Sequence, residues 1–125
     1  MESNTMGRQK AYSLNIEICE ASTFTIKGDC LDSPCSPLRL KNGQRVCVCE
    51  VVGFNPYGDI EKVQGKVCCI QYIHNGYTYF VAKEVVGIDE VTDRLRLRFY
   101  NPEQKDLYIE IGKIQSVWVV NGLKE

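Results

Sequence analysis

Residues 66–86, KVCCIQYIHNGYTYFVAKEVV, decide the fold class. Two runs rich in β-branched and aromatic residues, 66–73 and 77–86, flank the turn His74-Asn75-Gly76. Asn-Gly is the dipeptide most typical of a two-residue hairpin loop, because both turn positions need a positive φ. This stretch therefore predicts two neighbouring antiparallel strands.

An alternation of apolar and polar residues with a period of two recurs along the rest of the chain. It covers residues 12–18, 24–27, 45–52, 94–99, 107–111 and 116–120. No segment of helical length places apolar residues three and four apart. Leu31 to Leu40, with two prolines, is predicted to be a loop, and Phe54 to Gln64 a longer exposed excursion. Seven or eight short strands predict a mainly β domain, a small barrel or sandwich of mostly antiparallel strands.

Length and charge exclude several classes of protein. The 125 residues suit a single domain, expected over residues 11–125 after a polar, disordered tail of residues 1–10. Fifteen basic and sixteen acidic residues give a net charge of −1, so direct nucleic-acid binding through bulk charge is not expected. No apolar run approaches the roughly 18 residues of a membrane span, and the first ten residues lack a signal-peptide core. We expect a cytoplasmic protein that does not contact a membrane.

Cysteine is frequent, with an odd count of seven. The CxC and CC pairs, Cys47/Cys49 and Cys68/Cys69, do not have the spacing of zinc ligands. We expect reduced thiols that act mostly as small buried hydrophobes, and we expect no metal and no cofactor. The single histidine, His74, is expected to be a solvated turn residue, which makes Cys-His catalysis hard to build.

Two positions are candidates for chemistry. The Gly28-Asp29 turn at the end of a strand would present Cys30 at the edge of the sheet, although the same pair is also an ordinary turn. Lys83 shares a strand face with Val81 and Val85. It is either buried and able to act as a neutral base, or an edge-strand lysine with its ammonium in water.

A row of arginines is the third feature. Arg94, Arg96 and Arg98 alternate with an apolar face and could meet phosphates. The alternative is a solvated outer face balanced by acidic neighbours such as Glu90 and Asp93.

In their order along the chain, these motifs match a known family. The segments are FTIKGDCL (24–31), LRLKNGQRVCV (38–48), FVAKEVVGI (80–88), the run 95–99, the Asn101-Pro102 turn and the run 114–122. The chain resembles the C-terminal peptidase-like domain of LexA/UmuD-type and phage repressors, which shares its fold with signal peptidases. The resemblance spans roughly residues 24–122.

The resemblance implies a nucleophile and a base. In the family, a serine directly after Gly-Asp is the nucleophile and a strand lysine is its general base; these roles fall on Cys30 and Lys83, with Gly28, Asp29 and Leu31 completing the motif. Cys30 replaces the serine and Leu31 the usual methionine. The 29 residues before Cys30 offer neither a family-like cleavage bond nor room for a helix-turn-helix domain.

Two functions follow from this resemblance, and the arginine row adds a third. The first is a catalytically impaired LexA-like domain of a phage or bacterial regulator, which works by self-association or by binding a partner, for example a separate helix-turn-helix regulator. A homodimer would form through an uncovered C-terminal strand, Gln115 to Val120, with Trp118 exposed. The alternatives are an active Cys/Lys endopeptidase and a small β-barrel that binds nucleic acid. In all cases Cys30 and Lys83 are predicted to lie side by side, and Cys30 to alkylate faster than the buried Cys47, Cys49, Cys68 and Cys69.

Overall fold

A computed structural model describes residues 11–20, 22–28, 30–100 and 105–124. The predicted tail 1–10, Asp29 and the Asn101-Pro102 turn lie outside the described residues. The described residues form nine strands, one α-helix and a short 3-10 helix at Ile111–Lys113. The strands are β1 (Ala11–Ser13), β2 (Ile16–Glu20), β3 (Thr23–Ile26), β4 (Arg45–Glu50), β5 (Val67–His74), β6 (Tyr77–Asp89), β7 (Arg94–Arg98), β8 (Leu107–Glu110) and β9 (Ile114–Leu123); the helix α1 is Pro56–Val63.

All nine strands belong to one sheet. Its main path runs β2-β3-β4-β9-β5-β6-β7-β8, with antiparallel pairing throughout, and β1 adds to β6 in parallel. The two ends of the path, β2 and β8, do not pair with each other, so the sheet is not closed into a barrel. The prediction of a mainly β, mostly antiparallel domain is confirmed.

The β5–β6 hairpin has the predicted turn. Asn75 and Gly76 have φ values of 51° and 80°, the two positive angles that an Asn-Gly loop supplies. Residues of the two strands pair from Val67↔Glu84 to His74↔Tyr77. His74 is exposed at the end of the hairpin, as expected.

Both faces of the central strands are covered by apolar side chains. Phe80 and Ala82 of β6 point into one core cluster, with Phe24 and Val46. Val81 and Val85 point into a second cluster on the opposite face, which also contains Leu97. Because successive side chains of a strand alternate between faces, β6 contributes to both cores.

The sequence prediction for residues 54–64 is wrong in one respect, since helix α1 lies there. Asn55 precedes the helix with extended dihedrals, and Pro56 occupies its first turn. The Asp59 carboxylate accepts a hydrogen bond from the Asn55 N–H at 2.8 Å, while Val63 is buried against the second cluster. Asn-Pro, which signals a turn in isolation, is here a helix start.

The expectation of an uncovered C-terminal strand is also wrong. β9 pairs with β4 on one side and β5 on the other, so residues 115–120 lie in the middle of the sheet. The Trp118 ring packs edge-on against Phe24 and Phe80, at 5.9 and 5.3 Å between centroids. Within the described part of the chain, no helix is long and apolar enough to cross a membrane.

Candidate functional site

Lys83 is buried in the middle of β6. Lys83 is 2 % exposed, although its side chain ends in an amine, and it lies between the apolar Val81 and Val85 on one strand face. The Nζ atom lies 2.7 Å from the Cys30 Sγ and 3.9 Å from the centroid of the Phe99 ring. Of the two sequence interpretations of Lys83, the structure shows the buried one, and it places the amine against the predicted nucleophile.

Cys30 is held by the turn that follows β3. Gly28 has a φ of 82°, where glycine is favoured, and its N–H donates to the Asn42 side chain at 2.8 Å. Leu31 is fully buried in the first core cluster, and its carbonyl accepts a hydrogen bond from the Leu40 N–H at 3.0 Å. The turn and the Leu31 anchor therefore fix the chain on both sides of Cys30, which is itself only partly buried.

Asn15, between β1 and β2, is the third side chain of the site. Its Oδ1 accepts a hydrogen bond from the Ala82 N–H at 2.7 Å, and its Nδ2 donates to the Ala82 carbonyl at 2.6 Å. The same Nδ2 donates to the Cys30 Sγ at 3.3 Å. Asn15 thus connects Cys30 to the strand that carries Lys83.

The site occupies a gap along one edge of β6. On that edge, β1 pairs with residues 78–80 and β7 with residues 84–89, whereas β5 pairs along the other edge. On this edge, between β1 and β7, no strand pairs with Ala82, and its backbone N–H and carbonyl bond the Asn15 amide instead. A buried backbone N–H or carbonyl without a hydrogen-bond partner lowers the stability of the fold, and the Asn15 side chain supplies both partners here.

The three side chains can hold a reactive thiolate. A free thiol is a stronger acid than a lysine ammonium group, so a proton can pass from Cys30 to Lys83. In such a pair the opposite charges would lie 2.7 Å apart beside an almost fully buried lysine, where their attraction is stronger than in bulk water. The thiolate would accept hydrogen bonds from both Nζ and the Asn15 Nδ2.

The other cysteines differ from one another in burial more than expected. Cys68 and Cys69 are buried, and burial raises the pKa of Cys68 to about 12 and that of Cys69 well above its usual range. Cys49 is exposed and Cys47 is only partly buried, so the expectation that both are buried is wrong. Slow alkylation is therefore predicted only for Cys68 and Cys69. Among the described residues, no group of three or more His, Cys, Asp or Glu side chains could hold a metal ion.

The arginine row forms a charged outer face. Arg96 lies 2.7 Å from Asp106, which raises the pKa of the guanidinium through their hydrogen bond, and Arg98 lies 3.8 Å from Glu84. Arg94 lies over the Tyr108 ring, 4.7 Å from its centroid. The carboxylates that balance Arg96 and Arg98 are therefore not the Glu90 and Asp93 named from the sequence.

Comparison of the chain with protein-family models, with curated proteins and with solved structures found no match in any of the three. Cys30 and Lys83 are adjacent as predicted, and Gly28 and Leu31 shape the turn, whereas Asp29 lies outside the described residues.

Sequence reasoning missed Asn15 and Phe99. Asn15 is a polar residue in an alternating run, which normally indicates a solvent-facing side chain, yet it is 5 % exposed. Phe99 has the apolar alternation of a core residue, and nothing local indicates that its ring lies against an ammonium. The alternation of residues 12–18 is unbroken, so nothing in the sequence signals that Asn15 lies between two strands with different partners.

Proposed function

We propose that this chain is a LexA-like peptidase-fold domain in which Cys30 and Lys83 perform acyl transfer on a peptide supplied by another molecule. The observation that carries the proposal is the 2.7 Å contact between the Lys83 Nζ and the Cys30 Sγ, made by a lysine that is almost fully buried. A nucleophile within hydrogen-bond reach of a positioned base is the arrangement that covalent catalysis needs. This favours the active Cys/Lys alternative over an impaired site.

The proposed reaction needs only water besides the peptide. The Cys30 thiolate attacks the carbonyl carbon, a C–S bond forms, and the carbonyl π electrons move to oxygen. When the carbonyl re-forms, the C–N bond breaks and the leaving amine takes the proton from the Lys83 ammonium. Water then attacks the thioester while the neutral Lys83 amine accepts its proton, the C–S bond breaks, and the thiolate is restored.

An activated ester tests this chemistry without knowledge of the peptide. Incubated with 4-nitrophenyl acetate, the protein should carry one acetyl group on Cys30, located by peptide mapping, and release 4-nitrophenolate beyond one equivalent. An ordinary thiol is only a few per cent thiolate at pH 7, so Lys83→Met should slow acetylation about tenfold or more. The matched control is Lys113→Met, which removes an exposed lysine of the 3-10 helix.

Two results would contradict the proposal. One is an acetylation rate in Lys83→Met equal to that of the wild type and of Lys113→Met. The other is acetylation of the exposed Cys35 or Cys49 in preference to Cys30, as located by peptide mapping. The variant Cys35→Ser shows how much of the acetylation occurs on Cys35.

A second candidate function is self-association at another edge of the sheet. Among the described strands, β2 pairs with β3 alone, and Ile18 on this edge strand is 56 % exposed. An edge strand with an exposed apolar side chain can pair with a second copy, and a symmetric dimer is the commonest result. Sedimentation should then show a dimer that Ile18→Lys dissociates; a monomer at high micromolar concentration would exclude it.

The cellular setting is also a proposal. The described cysteines, Cys19 apart, are free thiols, which suits a reducing compartment such as the cytoplasm. The resemblance to repressor domains suggests a separate helix-turn-helix regulator as the partner or substrate. Nucleic-acid binding through the arginine row is not supported, because Arg96 and Arg98 are already paired with carboxylates.

A further inference from the structure

Asn15 is fixed on both its backbone and its side chain. The N–H of the preceding residue, Leu14, donates to the Phe80 carbonyl at 2.9 Å, and the Asn15 carbonyl accepts from the Lys27 N–H at 2.7 Å. The side-chain amide is bound at two points by Ala82. An amide held in this way has one orientation, with Oδ1 toward the Ala82 N–H and Nδ2 toward both the Ala82 carbonyl and the Cys30 sulfur.

We propose that Asn15 is a third catalytic residue, whose Nδ2–H donor holds Cys30 in its thiolate form next to Lys83. This inference rests on the proposed function and deepens it. Asn15 contacts the reacting atom directly, since Nδ2 lies 3.3 Å from Sγ. A hydrogen bond to a charged acceptor is about twice as strong as one to a neutral acceptor, so the donor favours the thiolate over the thiol.

The chemistry of the amide explains why this residue type is suited to the position. One Nδ2 hydrogen is used by the Ala82 carbonyl and the other by Cys30, while Oδ1 serves the Ala82 N–H. An aspartate would keep the contact to the Ala82 N–H but would have no donor for the sulfur. Its negative charge would also repel a thiolate.

Among the charged residues that the structure describes, Lys83 contacts the Cys30 sulfur directly. The next residue of β6, Glu84, accepts a hydrogen bond from the Tyr100 hydroxyl. In the adjoining segments Asp32 pairs with Arg39 at 2.6 Å, and Glu17 with Lys27 at 3.7 Å.

A purely structural role of Asn15, as a cap on the β6 edge, predicts a different result from a catalytic one. Loss of a cap lowers the stability of the fold but leaves the pH dependence of the thiol unchanged. Loss of a donor to the sulfur moves the pH at which the thiolate forms. The pH profile of thiol alkylation therefore separates the two roles.

The experiment measures the rate of Cys30 alkylation by iodoacetamide from pH 5 to 10, with the site of labelling identified by mass spectrometry. In Asn15→Ala, the midpoint of the profile should rise by about one pH unit, and the rate at pH 7 should fall about tenfold. Asn15→Asp should raise the midpoint further. The matched control is Asn121→Ala, which removes an exposed amide from β9 and should leave the profile unchanged.

A measurement on the wild-type protein keeps the inference testable if the Asn15 variants do not fold. The side-chain NH₂ signals of Asn15 in a ¹⁵N–¹H NMR spectrum should shift with pH at the same midpoint as Cys30 alkylation, and should not shift in Cys30→Ala. Signals that do not move in the wild type, or an unshifted profile in a folded Asn15→Ala, would overturn the inference. Alkylation requires no acyl transfer, so a failed acetylation test would refute the proposed function and not this role of Asn15.

Discussion

Removing the sulfur of Cys30 should destabilise the protein more than removing the charge of Lys83. In Cys30→Ala, the Lys83 Nζ loses the acceptor that lies 2.7 Å away, in a residue that is 2 % exposed. The Phe99 ring, 3.9 Å away, still faces the amine but offers a weaker contact than a charged or polar acceptor. The variant therefore buries an ammonium group that has lost a strong partner.

The two substitutions should change the free energy of unfolding by different amounts. A buried donor left without its acceptor costs about 1–3 kcal/mol, so we expect Cys30→Ala to lower the free energy of unfolding by about 2 kcal/mol. Lys83→Met keeps the unbranched stem and removes the charge, and replacement of a buried ion pair by an apolar side chain is often neutral or stabilising. The double variant, Cys30→Ala with Lys83→Met, should therefore be more stable than Cys30→Ala alone.

Urea unfolding followed by the fluorescence of Trp118 measures this difference. Trp118 is the single tryptophan and lies against Phe24 and Phe80, so its emission reports on the core. With a urea dependence of about 1–3 kcal/mol per molar, a loss of 2 kcal/mol moves the midpoint down by about 1 M. If Cys30→Ala and the double variant unfold at the same urea concentration, the contact between the sulfur and the amine contributes nothing and the reasoning fails.

Three further predictions concern the rest of the molecule. Incubation at alkaline pH should leave the mass at 14.2 kDa, because we propose that the site acts on a peptide supplied by another molecule; a shorter product that is absent in Lys83→Ala would show self-cleavage. Gly76→Ala should lower the free energy of unfolding by about 1 kcal/mol because its φ is 80°, whereas Gly112→Ala, with open space and no positive φ, is the control; equal effects would contradict this. Stability should fall as pH rises above about 9, because the Cys68 pKa is raised from 9.0 to about 12 and the unfolded thiol loses its proton first; a flat urea midpoint between pH 8 and 10 would be inconsistent with this.

Local patterns were enough to predict the β5–β6 hairpin and the place of Lys83. The Asn75-Gly76 turn fixes the register of the two strands, and the register fixes which side chains share a face. Lys83 then lies between Val81 and Val85, as the alternation indicates. These predictions succeeded because they depend on residues within one hairpin.

Features that depend on distant partners could not be predicted in the same way. Residues 115–120 have the pattern of any apolar strand, and only the pairing of β9 with β4 and β5 shows that they are central. Asn15 is buried because β6 changes its neighbour from β1 to β7 at Ala82, which is 67 residues away in sequence. Helix α1 was missed for a local reason, since Asn55-Pro56 serves equally well in a turn and at a helix start.

The gap along β6 links the architecture of the sheet to the chemistry of the site. A strand with one continuous neighbour on each edge would use the Ala82 backbone groups in a ladder and leave no room for a side-chain amide. Because β6 has two successive partners on one edge, no strand pairs with Ala82, the residue next to Lys83, on that edge. The amide that bonds this backbone also reaches the sulfur, so one side chain both fills the gap in the ladder and contacts the proposed nucleophile. The position of the proposed catalytic residues thus follows from where the sheet changes partner, and the residues brought together there come from three separate parts of the chain.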